Sequence, residues 1–245
     1  NTSMYQNVRV VDVKLNSLLN NIFPGPKFGI NGIRKIIGHS NSILCPVLKP
    51  QGLSSDDLAS LAYDFIISGA DMIKEDHNLS NQNYSTFRDR IEKITKAVNK
   101  ANKETGKRAM YFPHVSSNFE TIIEDIHFAI SAGVDGIMLI PSLVGYNFIH
   151  HISKNKKFDL PIISHPSFSG GHVLSKSHGI EHGVYYGTLQ RIIGADMSIF
   201  PNTGGRFEFS RDQCLSISSK CKDSDGFGKQ IFPAVGGGMS INTAN

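Results

Sequence analysis

One phrase occurs three times and constrains the fold more than anything else in the chain. Ser68-Gly69-Ala70-Asp71 leads into Met72-Ile73. Ala132-Gly133-Val134-Asp135 leads into Gly136-Ile137-Met138-Leu139-Ile140. Ile193-Gly194-Ala195-Asp196 leads into Met197-Ser198-Ile199-Phe200. Each copy stops a helix at glycine, adds a small residue and an aspartate, and opens an apolar strand. Glycine supplies the left-handed position that ends a helix, so the strand follows at once. Successive copies lie roughly 60–65 residues apart, about two βα units of a barrel.

The other units fall between these copies. Ile43–Leu48 reads as the first strand. Ser54 or Ser55 caps a helix with Asp56 and Asp57 in its first turn and Leu58, Leu61, Ala62, Phe65 and Ile66 at helical spacing. Tyr84–Glu104 reads as a long amphipathic helix, Ala109–Phe112 as the third strand, and Asn118 as the cap of a helix carrying Glu120 in its first turn. Gly136–Ile140, Pro161–Ser164, Met197–Phe200 and Ile231–Val235 supply strands four to seven. The strands are short and apolar without clean alternation, as when both faces are buried. Alternating strand and helix implies a parallel sheet. The predicted fold is therefore α/β: a (β/α)8 TIM barrel, truncated after about the seventh strand. The alternative is an open doubly wound sheet, whose glycine fingerprint after the first strand is absent.

Composition narrows the function classes. The 245 residues, 40% hydrophobic and 19% charged, suit one barrel domain. No apolar run approaches the ~20 residues of a membrane helix, so no membrane is expected as a partner. The net charge of +4 is dispersed, with no basic stripe interleaved by aromatics, so nucleic acid is not an expected partner either. Cys45, Cys214 and Cys221 lack metal-ligand spacing and suggest reduced thiols in a cytoplasmic setting. The sequence begins with Asn1 and stops soon after a glycine run, which reads as a piece of a longer polypeptide.

In a barrel the residues that follow each strand meet at one mouth, where chemistry lies. Here they are Lys49-Pro50; Lys74, Asp76 and His77; His114; His165-Pro166; Asn202-Thr203-Gly204-Gly205-Arg206; and Gly236-Gly237-Gly238. Lys74 and Asp76 are alternate residues and can share a face. Taken alone, Lys74-Glu75-Asp76-His77 also fits a solvated charged turn. Consecutive glycines after a barrel strand let backbone N–H groups approach an anion, although a flexible hairpin tip has the same composition. Arg206 could clamp a phosphate or carboxylate, or lie in a surface turn. His165 could be an acid, a base or a hydrogen-bond donor. Lys49 and Lys74 at neighbouring strand ends repel, and repulsion with desolvation lowers the pKa of at least one. A neutral lysine can act as a base, form a Schiff base, or take up CO2 as a carbamate.

Pro24–Ile30, Leu48-Lys49-Pro50-Gln51-Gly52-Leu53-Ser54, Gly69–His77 and Arg88-Asp89-Arg90 resemble the large subunit of Rubisco, in the family's order and over nearly the whole chain. The resemblance implies that Asn1–Phe23 is the tail of an N-terminal domain and its linker, and that residues 24–245 are an incomplete C-terminal barrel. It implies Lys49 as the lysine that moves protons on the substrate, Lys74 as the lysine that becomes carbamylated, and Asp76 as a Mg2+ ligand. His165 matches the active-site histidine after the fifth strand. His178 falls on a further histidine, and Arg206 falls near the mobile-loop lysine. Gly236, Gly237 and Gly238 match the loop that binds the substrate's 1-phosphate.

Departures set the branch. Carboxylases carry a second lysine where Gln51 stands, a phosphate-gripping arginine where Pro166 stands, a histidine where Ile199 stands and a lysine where Arg206 stands. His165–Gly171 looks instead like the Rubisco-like, non-carboxylating (form IV) proteins. The expected function is metal-dependent enolisation, by isomerisation, tautomerisation or decarboxylation, of a phosphorylated ketose or keto-acid through an enediolate. The alternatives are a ribulose-bisphosphate carboxylase with relaxed site residues and a non-catalytic ligand-binding homologue. His77 stands where the family has a third metal-ligand glutamate, and imidazole suits Mg2+ poorly. The expected cofactors are Mg2+ or Mn2+ and CO2 as the Lys74 carbamate, with His77 a doubtful ligand. The expected partners are a phosphorylated small molecule and a second copy of the chain, in a homodimer formed through the N-terminal domain.

Overall fold

The structure is a computed structural model that describes residues 5, 7–14, 20–205, 207, 209–224 and 227–239. Strands and helices follow one another in the order β1 (Arg9–Val10), α1 (Gly29–Ile37), β2 (Val47–Leu48), α2 (Ser55–Ile67), β3 (Met72–Glu75), α3 (Phe87–Thr105), β4 (Met110–Phe112), α4 (Ile122–Ala132), β5 (Ile137–Leu139), α5 (Pro141–Val144), α6 (Tyr146–Lys154), β6 (Ile162–Ser164), α7 (Gly170–Val173), β7 (Gly179–Ile180), a π-helical turn (Val184–Thr188), α8 (Leu189–Ile193), β8 (Met197–Pro201), α9 (Arg211–Cys221) and β9 (Phe232–Gly236). The class is α/β, and the β2–β3, β3–β4, β8–β9 and β1–β7 pairs are all parallel. Among the described residues no eighth strand of the expected barrel follows β9. No described helix is long and apolar enough to cross a membrane.

The chain divides into two compact units. One holds residues 31–139 and 156–163; the other holds residues up to 30, 140–155 and from 164 onward. In the first unit β2, β3 and β4 lie side by side. A bridge from His114 to Met138 continues the pairing to β5. Helix α2 begins at a reciprocal cap: Ser54 Oγ accepts from Asp57 N, and an Asp57 carboxylate oxygen accepts from Ser54 N. Its Leu58, Ala62 and Ile66 are fully buried, as are Ile91, Ile94 and Ala101 of α3. Burial of each large apolar side chain stabilises by about 1.5–3 kcal/mol. In the second unit the buried cluster is Val173, Tyr185, Tyr186, Phe200, Phe209, Ile217, Cys221 and Ile231.

The repeated phrase works at two atoms. Gly69, Gly133 and Gly194 have φ of +113°, +87° and +89°, the left-handed stop expected of them. The aspartates then bind backbone. Asp71 Oδ2 accepts from Leu44 N at 2.9 Å, Asp135 Oδ2 from Tyr111 N at 3.0 Å, and Asp196 Oδ1 from Phe28 N at 2.8 Å and Gly29 N at 2.7 Å. Each carboxylate thereby fixes a neighbouring segment where a strand begins.

The expected strand Ile43–Leu48 shortens to Val47–Leu48, other strand ends shift by one or two residues, and two helix starts move. Helix α3 starts at Phe87 rather than Tyr84, because Asn81 Oδ1 takes the Phe87 N–H at 2.9 Å and the preceding residues form a turn. Helix α4 starts at Ile122, leaving Asn118 to accept Thr121 N and Ile122 N from a turn before the helix, with Glu120 inside that turn.

Gly136 opens β5 under a ring. A Cβ there would lie 2.1 Å from Cε1 of Phe112, a fully buried residue of β4. Gly136→Ala is expected to destabilise by about 1–3 kcal/mol through overpacking. Urea unfolding at constant m-value measures it.

Candidate active site

Strand β3 extends through Glu75, so Lys74 lies on the strand and Asp76 is the first residue beyond it. Glu75 turns one way. Its carboxylate accepts from Arg90 Nε at 2.7 Å, Tyr111 Oη at 2.6 Å and His114 N at 3.0 Å. Arg90, on α3, also donates to the carbonyls of Ser85 at 2.8 Å and Ser80 at 2.9 Å. Glu75 and Arg90 are both fully buried, and their charges are paired and hydrogen-bonded throughout. Burial, reinforced by Glu75, holds the Tyr111 phenol far above its usual range, so it remains a donor. With Glu75 directed at the helix, strand alternation turns Lys74 and Asp76 to the opposite face.

On that face the side chains gather. Val47 stands level with Lys74 and Leu48 with Glu75. The same register carries Lys49 alongside Asp76, and Lys49 Nζ pairs with Asp76 Oδ2 at 3.1 Å. Asp76 Oδ1 accepts from Asn78 N at 2.9 Å and lies 3.6 Å from His77 Nδ1. Burial raises the Asp76 pKa, but the Asn78 N–H and the Lys49 ammonium outweigh it and hold the carboxyl below its usual value.

That shift has a testable sign. A carboxylate whose folded pKa is depressed contributes stability above the unfolded value of about 3.9 and loses it as pH falls through the folded pKa. Asp76→Asn is expected to remove that loss, giving a shallower acid limb in urea unfolding followed from about pH 6 to about pH 2.

Lys74 is 7% exposed and donates to its neighbour's carbonyl, Glu75 O, at 3.2 Å. Burial lowers its pKa; Cys45, Asp76 and Glu75 oppose the shift, and Lys49 adds to it. The repulsion expected between the lysines is thus present, but desolvation dominates. Burial pushes the Cys45 thiol up to about 11, against the pull of Lys74. His114 is 2% exposed, and burial lowers its pKa. Its Nδ1 lies 2.8 Å from Leu79 O, a pure acceptor, so the proton sits on Nδ1 and the buried Nε2 is left without a partner.

The donor chemistry bears on the expected metal. Among the described residues no three His, Cys, Asp or Glu side chains group as a metal site. Asp76 fits an oxygen-ligated divalent ion, and a carbamate on Lys74 would add a second oxygen. His77 offers nitrogen, which Mg2+ accepts poorly and Mn2+ accepts better.

The remaining expected residues lie in the other unit. His165 follows β6, and its Nδ1 accepts from Ser167 N at 3.3 Å and faces Ser167 Oγ at 3.1 Å. His178 is exposed, with Nδ1 bonded to Ser177 Oγ at 2.8 Å. Strands β8 and β9 run in register to Pro201 and Gly236, so their following loops emerge together. Gly236 ends β9; Gly237 and Gly238 follow with φ of +83° and +97°. Asn202 N donates to Gly236 O at 2.9 Å. Its side-chain amide, oriented as its neighbours require, donates to Gly236 O at 3.1 Å and Gly237 O at 3.0 Å. Arg206 lies outside the described residues. A cavity of about 710 Å3, lined in part by His39, Leu44, Asp71, Lys107 and Arg108, sits at the amino ends of the strands in the first unit, away from Asp76.

Sequence reasoning missed the Glu75–Arg90–Tyr111 cluster, Asn202 as the tie between two loops, and the exposed ring of Phe168. The only signal for the first was a carboxylate placed between Lys74 and Asp76, which alternation sends to the helix side.

Parallel strands that alternate with helices, with candidate site residues at their carboxyl ends, define an α/β barrel-type domain. Residues 29–216 match the family model for the ribulose bisphosphate carboxylase large chain, catalytic domain, and the chain belongs to this family. It is 32% identical over 243 residues to 5-methylthioribulose-1-phosphate isomerase of Rhodospirillum rubrum, covering 98% of this chain and 63% of that protein. It is 28% identical over 236 residues to 2,3-diketo-5-methylthiopentyl-1-phosphate enolase of Geobacillus kaustophilus, covering 95% and 57%. The crystal structure of a Rubisco-like protein from Rhodopseudomonas palustris superposes with a TM-score of 0.87 at 33% identity, covering 95% of this chain and 64% of that one. The chain therefore stands with the Rubisco-like proteins rather than the true carboxylases, and it spans less than two thirds of the length of these relatives.

Proposed function

We propose that the protein is a Rubisco-like enolase or isomerase that moves a proton α to the carbonyl of a phosphorylated ketose or keto-acid, by way of an enediolate. One observation carries the reading: a buried lysine whose pKa is lowered by burial shares a strand face with a carboxylate that pairs with a second lysine at 3.1 Å. A low-pKa amine is the form that captures CO2. The relatives that act on methylthio-substituted sugar phosphates support the same class.

In this reading Lys74, as its carbamate, and Asp76 hold Mg2+ or Mn2+, with His77 at its edge. The ion when bound supplies electrostatic stabilisation to an enediolate oxygen. Lys49, beside Asp76 at the same strand ends, is assigned to move the proton on the substrate. His165, whose Nδ1 accepts from Ser167, is assigned to hydrogen-bond a substrate oxygen. Asn202 occupies the carbonyls of Gly236 and Gly237, and the N–H groups of Gly237 and Gly238 are offered to the phosphate. Arg206 is assigned to the same substrate end. The working unit is a homodimer in which a domain of the partner completes the site, in a cytoplasmic setting where the free thiols of Cys45, Cys214 and Cys221 stay reduced.

The test is solvent exchange. Full-length protein with Mg2+ or Mn2+ and bicarbonate, in D2O, is expected to wash the α-proton out of at least one monophosphorylated ketose, seen by proton NMR. Fixation of labelled CO2 onto ribulose bisphosphate, or a panel of ketose phosphates that exchange nothing, would sink the reading.

A further inference from the structure

Strand register brings one more residue level with the candidate site. In the parallel sheet of β2, β3 and β4, Lys74 stands opposite Val47 on one side and Phe112 on the other. Two residues further on, the same register sets Lys49, Asp76 and His114 in a row. His114 forms a parallel bridge with Met138, so its backbone is still extended. Tyr111 reaches Glu75 on the helix side of the sheet. Alternation therefore turns Asp76 and His114 to the opposite face. Lys49 and Asp76 pair with each other at 3.1 Å, while His114 Nε2 has no partner.

The imidazole is held in one arrangement. Glu75 takes the His114 backbone N–H at 3.0 Å, and Nδ1 lies 2.8 Å from the Leu79 carbonyl. A carbonyl only accepts, so Nδ1 carries the proton and Nε2 is a bare lone pair. No described residue donates to that lone pair, and it is shut off from solvent. The residue is 2% exposed. An apolar side chain of similar size would fill the place without stranding an acceptor, so packing does not account for an imidazole here. Nor do the neighbouring ammonium groups meet it. Lys74 donates to Glu75 O at 3.2 Å, and Lys49 is turned to Asp76. The missing partner is a proton donor. Phosphate, carboxylate and carbonyl oxygens have no proton to give, whereas a hydroxyl does.

We propose that His114 is a substrate-binding residue: its Nε2 accepts a hydrogen bond from a hydroxyl of the ligand that enters between the ends of β2, β3 and β4. Because His114 stands level with Lys49 and Asp76, the hydroxyl belongs to the reacting end of the substrate and not to its phosphate end. This inference rests on the enolisation reading above and adds to it a residue that orients the reacting carbons.

The experiment compares the full-length wild type with His114→Gln and His114→Asn, using 5-methylthioribulose 1-phosphate as the probe. Glutamine sets its amide oxygen near the place of Nε2 and gives up the bond to Leu79. Asparagine sets its amide N–H at the place of Nδ1–H, keeps the bond to Leu79 and has nothing at Nε2. Calorimetry is expected to show His114→Asn binding the probe about 10-fold more weakly than His114→Gln, with His114→Gln near wild type, the usual worth of one hydrogen bond. A merely structural histidine gives the reverse order, and that order overturns the inference. A second measurement needs no variant. In wild type labelled with nitrogen-15 at histidine, the Nε2 resonance of an unprotonated, unbonded nitrogen is expected to move upfield when the probe binds. A probe that binds and exchanges deuterium while Nε2 stays in place, or an Nε2 that already carries the proton in the free protein, overturns this inference alone, whether or not the variants fold. A wild type that neither binds the probe nor exchanges deuterium into it overturns the enolisation reading, and this inference with it.

Discussion

Lys74→Met is expected to cut solvent exchange into the substrate by at least about 10^2–10^3-fold, the range seen when one preorganised electrostatic group is lost from a site. The fold should survive. Methionine matches the length of the lysine stem and carries no charge to bury, so the strand position, 7% exposed, is filled without an ammonium to desolvate. Stability is expected to be equal or higher. The pH dependence identifies the cause. Burial lowers the folded pKa of Lys74 below the unfolded value of about 10.4, so the unfolded chain binds more protons in the window between the two. Stability therefore rises with pH through that window in the wild type. The variant should lack the rise. Exchange followed by NMR, with urea unfolding on the alkaline side, measures both effects; a variant that unfolds instead would show that the lysine is structural.

Arg90→Met is expected to destabilise by about 3–5 kcal/mol, because it strands the Glu75 carboxylate where both partners were fully buried. That is a large part of the ~5–15 kcal/mol that holds a typical domain together. Two carbonyls, Ser80 O and Ser85 O, lose their donor in the same step. The double variant Glu75→Leu, Arg90→Met should recover much of the loss, since replacing both members of a buried pair by apolar residues is often neutral. Urea midpoints of the three proteins separate these cases. Recovery in the double variant would identify an uncompensated charge; no recovery would point to the hydrogen bonds still missing there, to the Ser80 and Ser85 carbonyls and from the Tyr111 hydroxyl and His114 N–H.

The parts of the fold that could be read in the chain are those with local signals. A glycine three times followed by a small residue and an aspartate marks helix stops, and each mark falls at a left-handed glycine ahead of a strand. Ser54 with Asp57 marks a helix start, and the reciprocal cap is there. Alternation alone places Lys74 and Asp76 on one face. What could not be read depends on residues far apart in sequence. Arg90 and Tyr111 reach Glu75 across 15 and 36 residues, and no periodicity announces that meeting. The pairing of Arg9–Val10 with Gly179–Ile180 joins two-residue strands too short to leave a pattern. Phe168 lies in Ser-Phe-Ser-Gly-Gly, where the glycines invite the positive φ that the phenylalanine takes instead. The Asn81 side chain delays α3 by a contact that propensity does not report.

Asp71, Asp135 and Asp196 stitch backbone at the amino-terminal ends of β3, β5 and β8, while the candidate site residues Lys74, Asp76 and the glycines after β9 lie toward the carboxyl-terminal ends of their strands. Strand β3 thus has a fastened end and, in the proposed reading, a working end. Loops at the working end can be exchanged for others without loosening the seams beneath them, so a new substrate preference can be reached by rewriting a turn such as Pro166–Ser169 while the scaffold stays as it is.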